Sequence, residues 1–338
     1  MGLGFGLLSA QLRPGETDWQ RAYDETIQLA VEAERVGLSS IWTTEHHFVD
    51  DGYMPSLAVV SAAIAAATST IEVATGLILA PLYHPLRLAE DAATVSLLSG
   101  GRFTLGLGLG WSGVEFDALG ADMRRRGRAM DEILAILPRA WSGEVFHHQG
   151  EVYSFPELAV RPTPSSKIQV MIGGGAEAAV RRAARLADGI FANVPADRFV
   201  QQVAWIRDEC DRIGRDISDL RIMHYSVMLP GATEAEAWDR YQRHVWQMMW
   251  KYSDMEASAV RAGSPPDAPA LSDDQRARLF GRATVAGTGE QIVESLLALR
   301  ERVGVPVEFA ARSAFSTLGF DDQVELMQHL AEEVAPHV

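Results

Sequence analysis

The chain has 338 residues, 47% of them hydrophobic, and a net charge of −15 from 30 basic and 45 acidic residues. This length suits an α/β barrel that runs as one unit. The acidic balance argues against nucleic acid and against an anionic membrane surface, both of which call for basic patches.

The single cysteine, Cys210, has no partner for an intrachain disulfide, so a reducing compartment is expected. No basic region precedes the N-terminal apolar run, and no apolar run reaches the roughly 18 residues of a membrane span. A cytoplasmic protein is expected.

An apolar strand is expected over residues 4–8. Helical periodicity covers 18–36, with Ala22, Ile27, Leu29, Ala30, Ala33 and Val36 in one stripe and Gly37 as the stop. Residues 40–45, "SIWTTE", form a strand, 55–67 a helix of small residues, and 71–79, "IEVATGLIL", a strand. A helix at 85–98 ends at "SGGR", and 103–109, "FTLGLGL", is the fourth strand. After a helix at 123–141, the segment 145–164 is irregular, with a hairpin around Gly150. Strand 168–172, helix 176–187, strand 189–194, helix 197–213 and strand 220–229 follow. Residues 234–282 break the rhythm, with "YQRHVWQMMWKY" ahead of "AGSPPDAPALS". A strand at 305–311 and a helix at 321–334 complete the pattern.

Nearly all-apolar strands between amphipathic helices indicate a parallel sheet covered on its outside. The count of such units predicts an α/β fold, a (β/α)8 TIM barrel spanning 1–338 as one domain. It carries one insertion before the fifth strand and a second, 234–282, between the seventh and eighth. The second would serve as a lid or a subunit interface. Chemistry in such a barrel sits at the C-terminal ends of the strands.

Glu45, His46 and His47 fall at such an end. Adjacent histidines on an extended chain point to opposite faces and do not share an ion, and no other metal-binding spacing occurs, so no metal is expected. General acid–base work suits His46. His147 and His148 read as solvated loop residues. In "VMIGGGAEAAVRRAARLADG" a strand runs through Gly173, Gly174, Gly175 and Ala176 into a helix. Glycines and free N–H groups there make an anion site, or simply a tight turn. Gly106 and Gly108 lie inside a strand, where they admit a planar ligand or a neighbouring backbone.

The stretches "TTEHHF", "ATGLILAPLYHPLRLAEDAATVSLLSGGRFTLGLGLGWSGVEFDALGADM", "GGGAEAAVRRAARLADG" and "VAGTGEQIVESL" together resemble the bacterial luciferase-like flavin monooxygenase family. The resemblance runs from Gly4 to about Arg212 and resumes after residue 284. It implies a barrel that binds reduced FMN, or the deazaflavin F420, at its C-terminal rim. His46 matches the family's catalytic histidine. Thr75, Gly76 and Leu77 match a bulge, often with a non-proline cis peptide, that backs the isoalloxazine ring. Arg128 matches an arginine that reaches the flavin phosphate, Gly173 to Ala176 the phosphate loop, and Asn193 a contact to the ring.

The chain departs from luciferases at Leu109, where they have arginine, and in the phosphate loop, which lacks their hydroxyl and acidic side chains. Phosphate recognition would then rest on backbone amides and Arg128. The "EHHF" form favours FMN over F420, whose users often carry "DHF", whereas the scarcity of lysine pulls towards an F420-producing genome.

The resemblance implies a monooxygenase supplied with FMNH2 by a separate flavin reductase, acting with O2 on a small apolar substrate, in a homodimer. The alternatives are an F420-dependent oxidoreductase that transfers hydride without O2 and a non-catalytic flavin binder, which has no need of the intact "EHHF". Trp246 and Trp250 would line a lid, or face a second subunit, with the loop around Trp111 as another gate. Either His224 or Tyr225, but not both, would face substrate.

Overall fold

The computed structural model describes residues 2–280 and 284–338. The strands are β1 Leu3–Leu8, β2 Ser40–Thr43, β3 Glu72–Thr75, β4 Ile78–Leu79, β5 Phe103–Gly108, β6 Phe146–Gln149, β7 Ser154–Leu158, β8 Gln169–Gly173, β9 Gly189–Ala192, β10 Arg221–Pro230, β11 Thr284–Gly287 and β12 Glu308–Arg312. The helices are α1 Trp19–Arg35, α2 Leu57–Ala67, α3 Pro85–Leu98, α4 Gly113–Leu119, α5 Arg126–Trp141, α6 Glu177–Leu186, α7 Ala196–Ile213, α8 Glu234–Ser258, α9 Asp273–Phe280, α10 Gly289–Val303 and α11 Phe320–Glu333.

The strands pair in parallel in the order β12-β1-β2-β3-β5-β8-β9-β10, and β10 pairs back with β12, closing the barrel. Each expected barrel strand is one of these staves. The third is split: β3 ends at Thr75, β4 resumes at Ile78, and the Gly76–Leu77 peptide between them is cis, where the family resemblance put it. The hairpin expected around Gly150 is β6 against β7. A strand and three helices were not anticipated. The far half of β10, from Val227, runs on to pair with β11, while α4 falls in a connection read as loop and α9 and α10 in segments given no element. Residues 281 and 282, the end of the expected insertion, lie outside the described residues. Among the described residues no helix is long and apolar enough to cross a membrane.

Local chemistry sets these elements. Helix α10 opens on a capping box of Thr288 and Gln291. Helix α3 starts with Pro85, whose missing N–H costs nothing in the first turn. Gly106 is needed because β3 and β5 approach closely: a Cβ there would lie 1.9 Å from the Thr75 carbonyl oxygen. Of the two readings for that glycine, the neighbouring backbone is the observed one. The Thr75 hydroxyl accepts from the Gly106 N–H at 2.8 Å and donates to the Gly106 carbonyl at 2.9 Å, locking the two strands.

Inside the barrel, Trp42 stacks on Phe191 and Phe191 on Tyr225, each pair 4.1 Å apart between centroids. Leu7, Ala74, Met171, Met223 and Ala310 complete this layer. At the N-terminal end, the first residues of β10, β3 and β12 converge. The Arg221 guanidinium binds Glu72 and Glu308, with its Nη2 at 2.7 Å from each. These two carboxylates hold Arg221 firmly in its charged form, against the opposing effect of burial.

Replacing Arg221 with Met leaves two carboxylates facing each other at the barrel floor without a counter-charge. The expected loss is about 3 kcal/mol of folding stability, read as a lower urea midpoint with an unchanged slope. An unshifted midpoint would show that the cluster contributes nothing net.

Candidate active site

The C-terminal rim holds a cleft of about 450 Å³. Its wall includes Leu7, His46, Gly76, Leu77, Leu109, Trp111, Gly173–Ala176, Phe191, Asn193, Tyr225 and Tyr252. The volume falls within the usual range for small-molecule sites.

His46 follows β2 directly and is buried at 5% exposure. Its Nδ1 donates to Glu115 Oε1 at 2.9 Å, and the same oxygen accepts the His47 N–H at 2.8 Å. With Nδ1 committed, Nε2 is the ring nitrogen left for a ligand. The ring is enclosed edge-on by Tyr53, Trp111 and Tyr252, at 4.9, 5.7 and 5.6 Å between centroids. His47 turns the other way, its Nε2 bonding Glu45 Oε1 at 2.7 Å. The alternation expected for adjacent residues is therefore observed. Among the described residues no group of side chains is arranged to hold a metal.

Glu45 is saturated. Beside His47 it accepts from the Tyr83 hydroxyl at 2.7 Å and from the Leu79 N–H at 3.0 Å. Burial, and then the Glu45 charge, hold the Tyr83 phenol well above its ordinary range. Glu115 is not saturated: it is 1% exposed, and its Oε2 has no hydrogen-bond partner among the described residues.

A second network borders the cleft. Tyr53 and Tyr252 share a hydroxyl–hydroxyl contact of 3.1 Å, and Arg312 Nη2 donates to the Tyr252 hydroxyl at 2.8 Å. Arg312 Nη1 reaches Asn193 Oδ1 at 3.3 Å, and Asn193 Nδ2 donates to the Tyr225 carbonyl at 2.6 Å. Helix α8 is fixed beside it by Lys251, 2% exposed, which pairs with Asp50 and, at 3.2 Å, with Asp254. Arg261 bridges the same aspartates at 2.5 and 2.6 Å.

The glycine loop is backed by Leu77: a Cβ on Gly173 would fall 2.0 Å from Leu77 Cδ1. Helix α6 starts after Ala176 with no side-chain cap, leaving the Glu177 and Ala178 N–H groups for a ligand, while the Ala179 N–H turns back to the Ala176 carbonyl. Arg198, at the start of α7, donates to the Gly175 carbonyl at 3.0 Å.

His46, Gly76, Leu77, Trp111, Gly173, Gly174, Gly175, Ala176 and Asn193 thus meet in one cleft, with Thr75 buried beside it. Four expected residues stand elsewhere. Arg128 is half exposed and ion-paired with Glu151, which keeps it off the cleft wall. His224 points away from Tyr225, because neighbours on a strand alternate. It donates from Nε2 to the Val194 carbonyl at 2.8 Å, and burial depresses its pKa to about 4. Trp246 donates to the Pro269 carbonyl at 2.7 Å, and the Trp250 ring lies against Lys251. Neither lines the cleft, because helical spacing turns both away from the face that carries Tyr252. Glu115, Tyr53 and Arg312 were missed. A charged residue closing an apolar strand, as in "EFAAR", was the signal available for Arg312.

A closed parallel barrel thus carries a histidine–carboxylate pair and a glycine loop on one cleft at its C-terminal rim. The family profile described as luciferase-like monooxygenase matches residues 4–305, and the chain belongs to that family. It is 32% identical over 147 residues to the oxygenase component of flavin-dependent trigonelline monooxygenase from Acinetobacter baylyi, covering 43% of this chain and 41% of that one. It is 29% identical over 196 residues to F420-dependent glucose-6-phosphate dehydrogenase from Kineococcus radiotolerans, covering 55% of each. The chain thus spans about half the length of the curated relatives it matches. The crystal structure of monooxygenase RslO1 from Streptomyces bottropensis superposes with a TM-score of 0.83 at 23% identity, over 100% of this chain and 99% of that one.

Replacing Glu115 with Leu removes the acceptor for two buried donors. Unsatisfied buried donors cost about 1–3 kcal/mol each, so thermal unfolding should move down by several degrees. Glu115→Gln keeps an acceptor oxygen and should lose less. Equal melting of both variants and the parent would show that the pair is not held by this carboxylate.

Proposed function

We propose that the protein is the oxygenase component of a two-component flavin monooxygenase. It would take FMNH2 from a separate flavin reductase and use O2 to oxygenate a small apolar substrate, releasing FMN and water. The observation that carries this reading is His46, fixed by Glu115 and aimed across a cleft whose far side is an uncapped glycine cradle.

The residues fit a flavin. The floor is flat and aromatic at Phe191 and Tyr225, and Gly76 and Leu77 form one wall. The Gly174–Ala176 backbone and the first turn of α6 would hold the phosphate, with Arg198 rather than Arg128 as the nearby cation. When bound, the reduced flavin supplies the electrons for O2 activation. His46 Nε2 holds or delivers the proton that the oxygen chemistry needs. Trp111, Tyr53 and Tyr252 keep water from its ring. The covering role first given to Trp246 and Trp250 passes to Tyr252 in the C-terminal half of α8.

A reductase partner is supported by the relative that is itself an oxygenase component. A homodimer is supported by neighbouring helices α2 and α3, which leave Val59 70%, Leu97 41% and Leu98 55% exposed. The second reading, F420-dependent hydride transfer without O2, is favoured by the glucose-6-phosphate dehydrogenase relative. Anaerobic titration with FMN, FMNH2 and F420 separates them: FMNH2 should bind tightest. Preference for F420 would establish the second reading, and no binding of any of the three would overturn both.

His46→Ala should leave flavin affinity within a few-fold and lower turnover about 10²–10⁴-fold, the range for loss of a general acid or base. Abolished flavin binding would make His46 a binding residue, and unchanged turnover would remove it from the chemistry.

A further inference from the structure

Arg312 ends β12 at the rim, and its recorded partners are neutral. Its guanidinium donates to the Tyr252 hydroxyl at 2.8 Å and to Asn193 Oδ1 at 3.3 Å, and its Cζ lies 5.2 Å from the Tyr252 ring centroid. Among the described residues it makes no ion pair with a carboxylate. Other enclosed cations differ. Lys251 and Arg221 each bind aspartates or glutamates, and Arg102 and Arg215 bind several backbone carbonyls.

A charge withdrawn from water needs a counter-charge or a full set of hydrogen bonds. A guanidinium offers five N–H donors in a fork that matches a planar anion. Here two of them meet neutral oxygens, and among the described residues no arginine or lysine lines the cleft itself, Arg312 standing behind its two contacts. The contacts Asn193 and Tyr252 both do line it. In barrel order β12 is separated from β8, the strand that runs into the glycine loop, by β9 and β10 on one side and by β1, β2, β3 and β5 on the other. Arg312 is thus a separate positive element from the proposed phosphate cradle. In a chain of net charge −15, such an element is also what draws an anion to this part of the rim.

We propose that Arg312 is a second anion subsite of the cleft, taking a planar delocalised anion through its guanidinium, with Asn193 and Tyr252 holding the fork in place. The inference rests on the flavin reading of the cleft only for one of its two sources. The anion is either the pyrimidine edge of the reduced flavin ring, which carries negative charge near neutral pH, or a carboxylate on the substrate.

The test uses the full chain and the variants Arg312→Gln and Arg312→Lys, with thermal unfolding as the check on folding. One arm measures affinity for oxidised and dithionite-reduced FMN by tryptophan fluorescence under anaerobic conditions. The other measures benzoate against benzamide by calorimetry with oxidised FMN present, or without it if FMN does not bind. Loss of one charge-assisted contact is worth about tenfold or more in affinity.

If Arg312→Gln loses that factor for reduced FMN, with oxidised FMN within threefold and Arg312→Lys intermediate, the anion is on the cofactor. If it loses benzoate but not benzamide, the anion is on the substrate. Equal loss of all four ligands makes Arg312 structural and overturns the proposal, as does no dependence on Arg312 in either arm. Failure of the parent protein to bind FMN in either state overturns the flavin reading instead, and the benzoate arm then decides the anion subsite alone.

Discussion

Two buried carboxylates hold the end of β2, and the rim is organised around them. A carboxylate taken from water must recover its hydrogen bonds inside the protein. Glu45 does so completely, and its three donors tie together His47, the end of β4 and the Tyr83 turn. Glu115 recovers them on one oxygen only, from the His46 ring and the His47 backbone. The pair therefore fixes both histidines in opposite orientations without a metal. It also links β2 to α4, so the short helix after β5 belongs to the site. The unpaired Oε2 of Glu115 is the part of this arrangement that a protein assembled only for stability would not keep.

Shape follows from Leu77 as much as from any polar group. The peptide break at Gly76 sends Leu77 into the mouth of the barrel, and it lies against the places where Gly106, Gly108 and Gly173 would have carried a Cβ, at 3.1, 3.1 and 2.0 Å. The leucine occupies the side-chain space of Gly173 outright and crowds that of Gly108, while Gly106 is required first by the Thr75 carbonyl. The same crowding puts backbone at the cleft surface, where a flat ring can lie against it. The stacked Trp42, Phe191 and Tyr225 beneath supply a stiff floor, so the cleft is bounded by groups with little rotamer freedom to lose on binding a ligand.

Much of this was legible in the sequence, for reasons that can be named. The barrel strands are nearly continuous apolar runs, and helices such as α3 carry both a proline start and a glycine stop, so local signals agree with the fold. Strand β11 was missed because "TVAG" is short and pairs outside the barrel, on the far half of β10. Helix α10 was left unassigned despite its capping box at Thr288. In the site, His46 stood out because an ionisable pair closes an apolar strand, and the glycine loop because three glycines run into a helix N-terminus, where an anion can approach the backbone. Glu115 did not, since a glutamate in a helix ordinarily faces water, and only the fold buries it. Arg128 was placed by resemblance alone, and Glu151 on the hairpin holds it away. Trp246 and Trp250 were assigned by composition, whereas the direction of a helix face decides which aromatic reaches a cleft. That residue is Tyr252.

The anchoring of α8 bears on how the cleft can open. Lys251, Asp50, Asp254 and Arg261 form a compact charge cluster between α8 and the loop that follows His47, with the Lys251 and Asp50 side chains 3% and 0% exposed. Separating a pair so enclosed leaves uncompensated buried charge, at a cost of several kcal/mol. Lifting the helix would also pull Tyr252 from Tyr53 and Arg312. A hinged flap needs a weakly held segment, and this helix is not one. Access to His46 would be controlled more cheaply by Trp111, which is 43% exposed at the cleft edge, just ahead of the helix that carries Glu115. A side-chain rotation there would open the histidine while leaving both carboxylates, and hence the geometry they impose, undisturbed.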